Sequence, residues 1–69
     1  MRISAWNIIR RRVKKVMHGA LNSEITIQLP GGAEIVSAIT KSSAKNLKPA
    51  KGKKAYAIIK ATNVMIAVD

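Results

Sequence analysis

The chain has 69 residues, of which 13 are Lys or Arg and three are acidic, so its formal net charge is +10. This length allows one small domain, residues 1–69, that buries only about 60% of the surface of its unfolded chain. The absence of cysteine excludes disulfides and thiolate metal sites, and no apolar run reaches the ~18 residues of a membrane span. We expect no cleavable signal and no membrane partner, and we expect oligomerisation to supply stability that so small a core lacks.

Apolar residues alternate with a period of two from the start of the chain, which predicts a β domain. Residues 4–16 are predicted to form a long strand that ends in a turn at His18-Gly19. Residues 21–29 are predicted to form the next strand, with odd-numbered apolar residues facing inwards and even-numbered polar residues facing outwards. Ser23 is the exception to this alternation.

The second half of the chain is predicted to hold three more strands and one helical turn. Pro30-Gly31-Gly32 ends the second strand in a hairpin turn, because Pro presets φ and Gly accepts a positive φ. The elements that follow are a strand at 33–40, a helical turn at 42–47, a loop at 48–52, and strands at 54–62 and 64–68. This order predicts an all-β fold, a small five-stranded Greek-key barrel of the oligonucleotide/oligosaccharide-binding (OB-like) kind with one short helical turn.

Catalysis and cation binding have little support in this sequence. The three acids, Glu24, Glu34 and Asp69, are too scattered to pair for acid–base work, and His18 is interpreted as a surface residue of a turn. Pro30-Gly31-Gly32 lacks the Lys and the helix of a phosphate-binding loop. We therefore expect a protein that is not an enzyme and holds no metal cation.

Donor residues within two otherwise apolar stretches instead indicate an oxyanion site. Thr40 and Ser43 lie in residues 38–43, Lys60 lies among apolar residues further on, and neither stretch contains a carboxylate. A tetrahedral oxyanion favours hydroxyls, backbone N–H groups and a cation, all of which these stretches offer. Ser4, between Ile3 and Ala5, is a further candidate donor. Each candidate also has an ordinary alternative: helix capping for Thr40 and Ser43, a solvent-facing strand position for Lys60, and a polar terminus for Ser4.

Several short segments along the chain together form a recognisable series. In order they are Met1-Arg2-Ile3-Ser4-Ala5-x-Asn7, Gly19-Ala20-x-Asn22, Leu29-Pro30-Gly31-Gly32, Ile39-Thr40-x-x-Ser43, the Leu47 loop ending at Gly52, and Ile59-Lys60-Ala61-x-x-Val64-Met65. In this colinear order the series resembles the molbindins, the Mop-type molybdate- and tungstate-binding proteins of the TOBE/Mop domain family. The resemblance covers essentially the whole chain.

The resemblance implies a fold, an assembly and a ligand. Protomers of the family exchange strands in pairs, three pairs form a homohexamer, and the assembly binds and stores molybdate or tungstate in the cytoplasm at its subunit interfaces. Carried over by position, the residues of the main oxyanion site are Ser4, Thr40, Ser43, Lys60 and Ala61. A second oxyanion site near a threefold axis would use Gly19, Ala20 and Asn22.

Two positions depart from the family pattern. Trp6 stands where the family usually has Arg. We expect its ring to line the main site and its indole N–H to donate one hydrogen bond there. The alternative interpretation of Trp6 is an aromatic residue of the core or of an interface. Arg10-Arg11-Arg12 stands where the family commonly has Gly in the middle, which predicts a solvated basic face.

The sequence is also compatible with two other functions. A small basic nucleic-acid-binding module would use residues 10–15 and 45–54 on phosphates, although only Trp6 and Tyr56 are available to stack bases. An oligomeric scaffold with weakened anion binding would follow from the loss of the family's Arg at position 6.

Overall fold

Four antiparallel strands form one curled sheet in the computed structural model, which describes residues 6–69. The elements are β1 (Trp6–His18), β2 (Asn22–Gln28), β3 (Glu34–Thr40), the helix α1 (Lys41–Leu47), β4 (Lys54–Lys60) and a 3₁₀ turn (Ala61–Asn63). The spatial order β3-β2-β1-β4 is a Greek key, in which the fourth strand returns to lie beside the first. The predicted all-β class and the short helix between the third and fourth strands are confirmed. Neither helical segment of residues 6–69 is long and apolar enough to cross a membrane.

β1 pairs with two different strands along its length. Its first part pairs with β4, from Trp6↔Lys60 to Arg12↔Lys54, and its second part pairs with β2, from Val13↔Ile27 to His18↔Ser23. The register shifts at a bulge between Val13 and Lys15. Because a bulge bends its strand and increases the local twist, the change of partner also curls the sheet.

Val13 is the residue at which β1 changes its partner strand. Its side chain is 2% exposed. Its N–H donates to the Lys53 carbonyl at 2.9 Å, and its carbonyl accepts from the Gly52 N–H at 2.8 Å. These two bonds tie the loop before β4 to the middle of β1. Gly52 has φ of 85°, a conformation that a residue with a Cβ rarely adopts.

The core centres on β2. Ile25 and Ile27 are buried as the alternation predicts, together with Val13 and Ala44. Thr26, predicted to face solvent, is 5% exposed. Neighbouring strand residues point to opposite faces, so burial of Thr26 between two buried isoleucines means that both faces of β2 are covered here. The prediction that Thr26 faces solvent was therefore wrong.

Three predicted boundaries also need correction. β1 continues to His18, so this residue belongs to a strand and the turn occupies residues 19–21. Leu21, predicted to face inwards, precedes β2 and is 82% exposed. β4 ends at Lys60 rather than at 62, because the backbone enters the 3₁₀ turn there.

The predicted fifth strand at 64–68 does not form within the described chain. A strand needs a neighbouring edge for its N–H and C=O groups, and no pairing is made by these residues. The Val64 N–H instead bonds back to the Ala61 carbonyl at 3.4 Å, while Met65, Ile66 and Val68 are 92%, 85% and 90% exposed. The last described segment is therefore an apolar extension that this chain does not cover.

The edge strands β3 and β4 leave the barrel open. They line an apolar groove of about 770 Å³ whose floor includes Ile25 and Ile27 of β2. Ile35 and Ile39 lie on the β3 side, and Ile59 lies on the β4 side. The fold thus presents two unpaired strand edges with an apolar groove between them.

Candidate functional site

Thr40 and Ser43 form a hydroxyl pair at the junction of β3 and α1. Thr40 caps the helix, because its backbone is extended and its Oγ1 accepts the Ser43 backbone N–H at 3.1 Å. The Thr40 hydroxyl donates in turn to the Ser43 Oγ at 2.9 Å. This confirms the capping interpretation, and because the Ser43 Oγ accepts from Thr40, the Ser43 hydroxyl can still donate to a further acceptor. Capping and ligand binding are compatible here.

The turn between β1 and β2 lies next to this hydroxyl pair. Asn22 is the β2 partner of Thr40, and the Lys41 N–H donates to the Leu21 carbonyl at 3.3 Å. The Gly19 N–H donates to the Asn22 carbonyl at 2.8 Å. A Cβ on Gly19 would stand 3.0 Å from that same oxygen, so a larger residue would require the turn to shift by a few tenths of an ångström. The structure therefore brings the proposed second-site residues Gly19, Ala20 and Asn22 to the same end of the sheet as Thr40.

His18 and Ser23 support this end of the sheet from within. Ser23 is fully buried, and its Oγ lies 2.8 Å from the His18 Nδ1 across the β1–β2 pair. Sequence reasoning missed this contact, although Ser23 had already broken the apolar alternation of its strand. A small polar residue at an inward position is a signal for a buried hydrogen-bond partner.

Trp6, Lys60 and Ala61 form a second group of candidate residues. Trp6 and Lys60 are direct cross-strand partners in the β1–β4 pair, so their side chains project from the same face. Trp6 is 43% exposed, and Lys60 and Ala61 are also exposed. Ala61 is the first residue of the 3₁₀ turn, where a backbone N–H has no acceptor inside the turn. Ser4 lies outside the described residues.

The two groups lie at opposite ends of β1. Trp6 begins this strand and His18 ends it, a separation of roughly 40 Å at about 3.3 Å per residue if the strand were straight. The longest extent of the whole molecule is 35 Å, shorter than that straight length, so β1 is curved. The two groups still lie at its opposite ends, and no hydrogen bond among the described residues joins them. One chain therefore does not assemble the predicted main site.

Electrostatics favour an anion at either end. Neither group contains a carboxylate: Glu24 lies on β2 two residues beyond Asn22, and Glu34 begins β3 at the end away from Thr40. Glu34 forms a salt bridge with Lys14. The hydrogen bond from Lys14, with a Coulombic contribution from the same ammonium, lowers the pKa of the Glu34 carboxyl below its ordinary value. Within residues 6–69 no group of three His, Asp or Glu side chains could hold a metal ion.

Comparisons with known proteins agree with the sequence motifs. The profile of the TOBE domain matches residues 3–66 of this chain. The chain belongs to the TOBE domain family. A probable molybdenum-pterin-binding protein of Haemophilus influenzae is 39% identical over 69 residues, which is the whole of both chains. The predicted relationship to Mop-type proteins is thereby confirmed.

Solved structures with the same fold include proteins described as molybdate-binding. The cytoplasmic molybdate-binding protein ModG, in a form with molybdate bound, superposes with a TM-score of 0.84 at 45% identity. That match covers 94% of this TOBE chain and 46% of the ModG chain. A molybdate-binding protein from Sporomusa ovata superposes with a TM-score of 0.86 at 32% identity, covering 99% of this chain and 100% of the other.

Proposed function

We propose that this TOBE chain binds molybdate or tungstate as a cytoplasmic, non-enzymatic storage protein, at sites that form between copies of the chain. The observation that carries the proposal is the division of the oxyanion donors into two groups, described above. Relatives described as molybdate-binding share the fold at up to 45% identity, which supports the choice of ligand.

A second copy offers the missing half of each site. Thr40 and Ser43 of one chain would face Lys60 and Ala61 of another, with Trp6 beside Lys60 as its cross-strand neighbour. The hydroxyls would donate to the oxyanion, the Lys60 ammonium would supply charge, and the Ala61 N–H would add a backbone donor. Ser4, two residues before Trp6, would join the Lys60 side of the site.

Assembly by strand exchange would also complete the fold. In the apolar extension, Met65, Ile66 and Val68 are nearly fully exposed, and the groove between β3 and β4 is flanked by unpaired strand edges. An extended segment that joins an open edge gains backbone hydrogen bonds and buries alternate side chains. We propose that pairs formed in this way associate into a homohexamer, a trimer of dimers, with Gly19, Ala20 and Asn22 near its threefold axis.

Charge strengthens the case for a bound dianion. Six copies of a +10 chain would carry a formal charge of +60, which opposes assembly through self-repulsion. A dianion at an interface offsets two of these charges and accepts hydrogen bonds from both copies. Ligand binding and association are therefore expected to support each other.

Calorimetric titration of the intact protein with molybdate tests this function. We expect saturable binding that Lys60→Ala weakens by about tenfold or more, since a hydrogen bond to a charged group contributes roughly 1.5–3 kcal/mol. Lys15→Ala is the matched control, because it removes the same charge from an exposed strand position outside both groups, and it should leave the affinity within about threefold. Equal losses of molybdate affinity in the two variants would show that Lys60 is not part of the site. The absence of molybdate binding by the unmodified protein would overturn the proposed function.

A further inference from the structure

A basic groove lies on β1 at the point where the strand changes its partner. Six cationic side chains line this cavity of about 650 Å³: Arg10, Arg11, Arg12, Lys14, Lys51 and Lys54. The remaining lining residues are Val13 and Gln28, so the groove has no aromatic ring in its wall. It contains none of the residues assigned above to molybdate. We call this cavity the arginine groove.

The fold positions the cations of the arginine groove. The bulge between Val13 and Lys15 redirects Lys14 from the regular alternation of β1. The two backbone hydrogen bonds of Val13 to Gly52 and Lys53 hold the segment that carries Lys51 and Lys54 against the same stretch of strand. Charges that are distant in sequence are thus brought to one place by backbone contacts.

Two of the guanidinium groups are anchored before any ligand arrives. The Arg11 Nε donates to the Gln28 carbonyl at 3.1 Å, and the Arg12 Nη1 donates to the Gly52 carbonyl at 2.8 Å. Each bond uses one of the five N–H donors of its guanidinium and restricts the side chain. The donors that remain are held in place, so less conformational entropy is lost when they bind an anion.

The charge of the groove is not neutralised from within the chain. Lys14 is paired with Glu34, which leaves five cations of the groove without a carboxylate partner in the described residues. Like charges at this density repel one another, and a polyanion relieves that repulsion. The cations are spread along a strand and a loop, so a single oxyanion can contact only one or two of them. An elongated anion with repeated charges can contact most of them.

We propose that the arginine groove binds a condensed phosphate chain, as found in inorganic polyphosphate. Guanidinium forks match phosphate oxygens in bidentate geometry, and four of the six cations lie close together in the middle of β1, at residues 10–14. The lining itself carries no ring, and the neighbouring Tyr56 ring already has the Arg10 guanidinium over it, with the Arg10 Cζ 6.0 Å from the ring centroid. Few ring faces are therefore left for nucleobases to stack on, which argues for phosphate groups rather than single-stranded nucleic acid as the ligand. This binding would be separate from the molybdate sites, and it goes beyond the proposed function.

Calorimetry with inorganic tripolyphosphate tests the proposal on the intact protein at two salt concentrations. We expect tripolyphosphate to bind more tightly than orthophosphate and to weaken as salt rises. The double variant Arg11→Gln/Arg12→Gln should lose about tenfold or more in tripolyphosphate affinity while its molybdate affinity stays unchanged. The double variant Lys45→Gln/Lys48→Gln is the control, because it removes the same charge from the helix α1 and its C-terminal cap.

Three results would overturn the proposal. One is equal loss of affinity in both double variants, since binding would then reflect net charge alone. Another is tighter binding of a mixed-sequence oligonucleotide than of a polyphosphate of equal length, which would identify a nucleic-acid surface. The third concerns Arg11→Lys/Arg12→Lys, which keeps the charge and removes the forks. The affinity of this variant for tripolyphosphate should fall about threefold or more, and an unchanged affinity would show that anchored guanidinium groups are not required.

Discussion

Replacing Ile66 with Ser is expected to weaken self-association of the chain without destabilising the isolated fold. Ile66 is 85% exposed in the single chain, where it lies beyond the 3₁₀ turn and pairs with no strand. Surface substitutions of this kind usually change stability by no more than about 0.5 kcal/mol. Strand exchange would instead bury Ile66 in the apolar groove of a second copy. The substitution should then weaken association of the chains while the stability of the single chain stays almost unchanged.

The magnitude follows from the apolar area that would be buried. Full burial of an Ile side chain contributes about 1.5–3 kcal/mol. A twofold exchange buries two copies of Ile66, so the variant dimer would lose about 3–6 kcal/mol in its free energy of association. At about 1.4 kcal/mol per factor of ten, the dissociation constant would rise roughly 10²- to 10⁴-fold.

Sedimentation equilibrium over a range of protein concentrations measures this change directly. Ala67→Ser is the matched control, because neighbouring residues of an extended segment point to opposite faces and Ala67 would face away from the groove if Ile66 faces into it. We expect the control to change the dissociation constant by less than tenfold. If Ile66→Ser associates as tightly as the unmodified chain, the extension does not enter the groove and the reasoning fails.

Three further predictions concern the fold that positions the sites. Val13→Ala removes two buried carbons and should cost about 1.5–3 kcal/mol in urea denaturation, and a loss below about 0.5 kcal/mol would contradict its place in the core. Ser23→Ala should cost about 0.5–1.5 kcal/mol and couple to His18→Ala in a double-mutant cycle, whereas purely additive losses would argue against their hydrogen bond. Because Lys14 lowers the folded-state pKa of Glu34, their pair stabilises the fold above the ordinary pKa of a carboxyl and ceases to do so as the pH falls through the lowered value. The melting temperature of Glu34→Gln should therefore lie below that of the unmodified chain at neutral pH and converge with it in acid, and a gap that widens in acid would contradict this sign.

Local patterns were sufficient to predict most of the strands. The alternation through Ile25 and Ile27 located β2, and the capping residue Thr40 marked the junction of β3 with α1. The fifth strand failed for a physical reason. Residues 64–68 have the apolar character of a strand, but after Lys60 the chain enters the 3₁₀ turn and these residues pair with neither open edge of their own sheet. Sequence periodicity contains no information about which edge a segment joins.

The candidate site was predictable in its chemistry and not in its geometry. Hydroxyls at positions 40 and 43 and a cation at position 60 follow from residue type and spacing. Their separation depends on β1, whose two halves pair with different strands around the bulge at Val13. The bulge coincides with backbone contacts of Val13 to Gly52 and Lys53, which are distant in sequence, so nothing in the sequence near Thr40 or Lys60 indicates it.

The divided site and the open barrel lead to one joint prediction about the ligand. If molybdate binds only where two copies meet, it stabilises the assembled state by about 2.7 kcal/mol per site at a free concentration one hundred times its dissociation constant. For a domain of this size the melting temperature should rise by several degrees or more, and Lys60→Ala should abolish most of that rise. Dilution should lower the melting temperature in the absence of molybdate and lower it less in its presence, because ligand and association favour the same state. A melting temperature that responds to molybdate but not to protein concentration would place the whole site within one chain, contrary to the separation of Thr40 and Lys60 along β1.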